Sequence, residues 1–144
     1  MSRDTLLREL AGRLIAFETK KRKASEPSQP AVHLVCEKLR APLATLMGRN
    51  GFRALLARSV VLARADVPGL RALEIQAGGT LAGWEKIRAA RSPQEFSEGQ
   101  IVILARLLGL LTAFIGENLA FQILRELWPQ LTRKRSKPGK RIKK

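Results

Sequence analysis
Cysteine occurs once in this 144-residue chain, histidine once and tyrosine not at all. A single cysteine excludes a disulfide framework within the chain and any cysteine-based zinc module. One histidine and no tyrosine leave few groups for acid–base work near neutral pH. No Gly-x-Gly-x-x-Gly fingerprint is present, and Gly78-Gly79 is not followed by Lys-Ser or Lys-Thr, so there is no phosphate loop. The opening Met-Ser-Arg-Asp lacks the charged-then-apolar pattern of a signal peptide. No internal repeat is visible. These absences predict a protein that is not an enzyme, holds no cofactor or metal, and resides in a reducing cytoplasm.

Apolar residues make up 45% of the chain, enough for one domain to build a core and too much for bulk disorder. Lys and Arg number 27 against 12 Asp and Glu, a net charge of +15. The excess is concentrated. Lys20, Lys21, Arg22 and Lys23 form one run. Arg133, Lys134, Arg135, Lys137, Lys140, Arg141, Lys143 and Lys144 form a second, with no acid among them. Such runs attract DNA, RNA or anionic headgroups by counterion release. The plain alternative is solubility. Arg49 and Arg53, with Arg58 and Arg64, make one helix basic. They read either as a solvated face or as a recognition surface continuous with the two runs. Aromatic residues are missing beside the runs, which disfavours single-strand stacking.

Along the chain, Ser2 is placed to cap a helix over residues 3 to 22, with Leu7, Leu10, Leu14 and Phe17 on one stripe. Asp4/Arg8, Glu9/Arg13 and Glu18/Arg22 are acid-before-base pairs at i,i+4. Residues 23 to 30 read as a linker. Pro30 suits the first turn of a second helix, with Val32, Val35, Cys36 and Leu39 on one face. Pro42 predicts a break or kink near Ala41. Gly48-Arg49-Asn50-Gly51 reads as a turn, and a further helix follows from Phe52. Ala77-Gly78-Gly79-Thr80 suggests a small hairpin between Leu73–Gln76 and Thr80–Leu81. Ser92-Pro93-Gln94-Glu95 carries the signature of a capping box. The helix it starts runs into Ile101–Ile115, apolar nearly all round and shorter than the roughly 20 residues of a membrane span. The composite is an all-α bundle of five to seven helices over residues 1–131, one small hairpin near 73–82, and a disordered basic tail over 132–144.

Few residue groupings offer chemistry. His33 and Cys36 are three apart on a helix, but no further His or Cys exists to complete a zinc site or a cysteine hydrolase. Glu37-Lys38-Leu39-Arg40-Ala41-Pro42-Leu43 resembles the His-Glu-Leu-Arg-Thr-Pro-Leu phosphoacceptor box of sensor histidine kinases. Leu39, Arg40, Pro42 and Leu43 match. Glu37 stands where the phosphoaccepting histidine belongs and Lys38 where an acid follows, so the acceptor chemistry does not carry over. The match spans under ten residues, and it reads as chance or as a phosphate-dead dimerisation remnant. More broadly, the segments from Cys36 to Leu43, Gly51 to Arg58 and Leu110 to Leu119 resemble a group of bacterial all-helical proteins. That resemblance implies a helical bacterial protein and no activity.

The expected function is therefore an interaction or adaptor module. Its helical body binds a protein partner or a second copy of itself, through Phe114, Leu124 and Trp128. Its basic tail contacts a polyanion. The alternative is a sequence-nonspecific DNA- or RNA-binding protein. No integral membrane span is expected.

Overall fold
The computed structural model describes residues 2–21 and 29–131. Arg22, Lys23, most of the expected linker and the whole basic run from Arg133 lie outside the described residues.

Helix α1 spans Arg3–Lys21. Its first turn is capped by Ser2, whose Oγ accepts from the Thr5 N–H at 3.2 Å. Leu7, Leu10, Ala11, Leu14 and Ile15 form its buried stripe. Two residues of the expected charge pairs take longer-range partners, and Arg22, expected beside Glu18, lies outside the described residues. Arg8 pairs with Glu98 at 2.9 Å, and Glu18 turns inward to Lys38 and Trp128.

Helix α2, Ala31–Asp66, is one element with a sharp bend. Pro30 is its N-cap, one position before the first turn, and offers no side-chain cap. The deficit is met from another helix, since Gln100 Oε1 accepts the Val32 N–H at 3.1 Å. The break expected at Ala41 does not occur there. The helix continues through Pro42, because Leu39 and Leu43 are both fully buried and hold the flanking turns in place. The non-helical residue is Gly48, at φ 81° and ψ 161°. It divides α2 into a limb over residues 31–47 and a limb over 49–66.

A 3₁₀ turn, Pro68–Leu70, leads into a two-stranded antiparallel hairpin, β1 (Glu74–Ile75) and β2 (Leu81–Ala82). Glu74 faces Ala82 and Ile75 faces Leu81; β1 falls within the expected Leu73–Gln76 piece and β2 lies one residue along from Thr80–Leu81. Helix α3, Trp84–Ala90, starts at Gly83, whose φ is 103°. A Cβ there would lie 2.1 Å from the Ala72 carbonyl oxygen, so the hairpin enters α3 through a contact that admits only glycine.

Helix α4, Pro93–Ile115, opens with the expected capping box: Glu95 N–H to Ser92 Oγ and Ser92 N–H to Glu95 Oε1, each 3.1 Å. With 23 residues it is longer than the apolar run alone, and by length and composition it could cross a membrane. Half of its most apolar window is buried inside the protein. Val102, Ile103, Leu104, Leu107, Leu108 and Leu111 pack against α1 and α2, the position of a core helix. Gly116 ends it, and α5 (Glu117–Leu127) follows. One hydrophobic cluster runs through all five α-helices. The described chain is thus the expected all-α bundle with one small hairpin.

Candidate polyanion-binding concavity
The bend at Gly48 opens a concavity on the surface. In a straight helix, residues 40 and 52 would stand about 18 Å apart at 1.5 Å per residue. Here the Arg40 guanidinium lies 5.4 Å from the Phe52 ring centroid. The hairpin tip is then tied across the bend by arginines. Arg40 donates to the Gly78 carbonyl at 3.2 Å and the Gly79 carbonyl at 3.0 Å. Arg53 Nε donates to the Gln76 carbonyl at 3.1 Å. Arg64 donates to the Leu73 carbonyl at the base of the hairpin. Glu37 receives both Arg40 Nε and Nη2, at 3.3 and 2.9 Å.

Between bend and hairpin tip is a concavity of about 380 Å³, walled by Arg40, Arg49, Asn50, Arg53, Gly48 and Gly78. No acidic residue lines it, and none occurs in the sequence between Glu37 and Asp66. Arg49 is exposed and has no hydrogen bond or ion pair among the described residues. The cavity therefore carries unneutralised positive charge, which favours an anion.

A second groove, of about 320 Å³, is lined by Asp4, Arg8, Asp66 and Arg106 over an apolar floor. Its two acids balance its two arginines in number, with Arg106 paired to Asp66 and Arg8 paired to Glu98 beyond the lining. Arg106 Nε and Nη2 grip Asp66 at 2.7 and 2.9 Å. The Arg106 hydrogen bond holds the Asp66 carboxyl below its ordinary value, and the same bond raises the Arg106 guanidinium.

The structure brings Arg49 and Arg53 together, one helical turn apart. Lys20 and Lys21 sit exposed at the end of α1, with Lys21 Nζ 5.6 Å from the Phe17 ring. Arg64, read as part of a solvated face, is turned onto the hairpin instead. Of the three expected partner-binding residues, Phe114 is exposed at 66%, but Leu124 and Trp128 are each 1% exposed. Those two belong to the core. The apolar stripe of α5 faces inward, and Trp128 Nε1 donates to Glu18 Oε2 at 2.8 Å. They offer no surface to a partner.

Two residues of consequence escape the sequence reading. Arg40, first arginine of the acid-free stretch, holds the hairpin tip. Glu18 is 4% exposed and also accepts Lys38 Nζ at 2.5 Å. Its spacing gives the signal: it lies four residues after Leu14, on the buried stripe. His33 is half-buried, and burial pushes the Cys36 thiol up to about 12, so the thiolate is suppressed. Among the described residues no group of three or more His, Cys, Asp or Glu side chains is placed to hold a metal ion.

No family model, no curated protein and no solved structure matches this chain.

Proposed function
We propose that the protein is a non-enzymatic polyanion-binding module whose ligand is the phosphate backbone of a nucleic acid. The observation that carries this reading is the acid-free concavity holding Arg49 and Arg53 on a chain with net charge +15. Phosphate contacts fix affinity and register without reading bases. The concavity has no aromatic wall for base stacking, which suits backbone binding without sequence preference.

The test is fluorescence anisotropy of labelled duplex DNA and RNA with the full chain, over a salt series. Affinity should fall linearly on logarithmic axes, with a slope near −0.9 per phosphate contact on DNA. Two duplexes of different sequence should bind alike. Replacing the eight basic residues from Arg133 to Lys144 by Gln should reduce the slope and leave a remainder. No binding at about 50 mM salt, where phosphate contacts are strongest, overturns the proposal.

A second reading, a helical module that docks a protein partner or a second copy, is favoured by the exposure of Phe114 at 66% and Val61 at 58%. Sedimentation of the full chain tests it. Self-association that Phe114→Ser removes would favour a second copy as the occupant. A monomer at all concentrations would leave only a different protein partner.

A further inference from the structure
Resting on the polyanion reading, we propose that the concavity at the α2 bend is a discrete site for one phosphate group, gripped by Arg49 and Arg53. Arg40 is already engaged: Glu37 neutralises its charge, and its nitrogens serve the Gly78 and Gly79 carbonyls. It positions the hairpin wall. Arg53 commits only Nε, to the Gln76 carbonyl, so its two Nη groups have no partner among the described residues. All the nitrogens of Arg49 are in that state. The two residues are spaced i,i+4, which puts their side chains on one helix face about 5–6 Å apart at Cβ. Two guanidinium forks at that spacing match the bidentate geometry of a tetrahedral oxyanion, and no acid competes for them.

Space supports the same conclusion. A Cβ built at Gly48 or at Gly78 would meet no atom within 4 Å, so both glycines border open space. The volume exceeds that of a phosphate ion alone, leaving room for an ester substituent. A purely structural role explains Arg40 and the Nε of Arg53. It does not explain Arg49, which makes no hydrogen bond or ion pair among the described residues.

The experiment is an amide NMR titration of the full chain at constant ionic strength, with chloride replaced by inorganic phosphate in one arm and by dimethyl phosphate in another. The amides of Asn50, Gly78 and Gly79 should shift saturably. Arg49→Gln should weaken binding by about tenfold, the loss of one charge-assisted bidentate contact. Arg49→Lys keeps the charge without the fork and should fall between. Because Arg49 is exposed and makes no hydrogen bond or ion pair among the described residues, both variants should melt with the wild type. Response to the diester assigns the site to a nucleic-acid backbone; response to inorganic phosphate alone assigns it to free phosphate or a monoester. Shifts that never saturate, that map only to the chain termini, or that survive Arg49→Gln unchanged overturn the site. The broader reading fails differently. Duplex binding with an unaltered salt slope in Arg49→Gln removes the pocket and leaves the polyanion module. Saturable phosphate binding without duplex binding does the reverse.

Discussion

Trp128 and Phe114 are both large aromatic residues near the C-terminal end of the described chain, and burial separates their roles. Trp128 is 1% exposed and hydrogen-bonded to the buried Glu18, whereas Phe114 is 66% exposed. Trp128→Ala removes a packed ring and strips a partner from a buried carboxylate, and should cost about 3–5 kcal/mol. Phe114→Ser should change stability by less than about 0.5 kcal/mol. Urea unfolding of the two variants checks both. Asp66 gives a pH-dependent counterpart. Its folded-state value lies below the ordinary 3.8 because Arg106 hydrogen-bonds the carboxylate. That stability is present in full above the ordinary value and is lost as pH falls through the folded one. The pair is partly exposed, so its worth is about 0.5 kcal/mol or less. The melting difference between wild type and Asp66→Asn should shrink from about pH 5 to about pH 2. A constant difference would mean that the pair does not set the slope. Local residues of this kind were legible where the partner is close in sequence, as at Ser2 and in the Ser92/Glu95 capping box. For Glu18 the stripe signals burial but not its partners, which lie 20 and 110 residues away.

Helix α2 shows how two breakers are resolved. Pro42 removes one backbone donor and crowds the carbonyl four residues back, yet the chain stays helical there. Burial of Leu39 and Leu43 on either side outweighs that local cost. Gly48 lacks such anchoring, with exposed or half-buried neighbours, and takes the bend. Its dihedrals lie in a region that residues with a Cβ rarely adopt, although a Cβ would meet nothing within 4 Å. Gly48→Ala should therefore cost about 1–3 kcal/mol through backbone strain alone. It should lower the denaturant midpoint without changing the slope of the transition. A near-zero effect would show that the bend adapts, and the concavity with it. Periodicity identified the helices because each buries one stripe. The breaker residues placed interruptions at both Pro42 and Gly48–Gly51, and only the second occurs, because which breaker is tolerated depends on which neighbouring positions meet α1 and α4.

Across the whole molecule, the charge excess was legible from the residue count, and the pairing of Arg49 with Arg53 from their spacing. The concavity was not legible, because its opposite wall is reached by contacts such as Arg40 to Gly78, across 38 residues. The same separation of local and global charge yields a salt prediction. Salt weakens the ion pairs of the described residues, such as Arg3–Glu117 and Arg8–Glu98, and these are exposed pairs worth about 0–1 kcal/mol each. Salt also screens the repulsion of a chain at +15, as the Debye length drops from about 30 Å at 0.01 M to about 8 Å at 0.15 M. The uncancelled charge far outnumbers these pairs, so screening should win and the melting temperature should rise with NaCl over that range. Phosphate at the same ionic strength should raise it further, because a ligand of the folded state adds RT ln(1 + [L]/Kd) of stability. Arg49→Gln should keep the NaCl response and lose the phosphate increment. A melting temperature that falls with NaCl would mean that exposed ion pairs outweigh the net charge. Equal responses to phosphate and chloride would place the positive charge in a diffuse field with no site at the α2 bend.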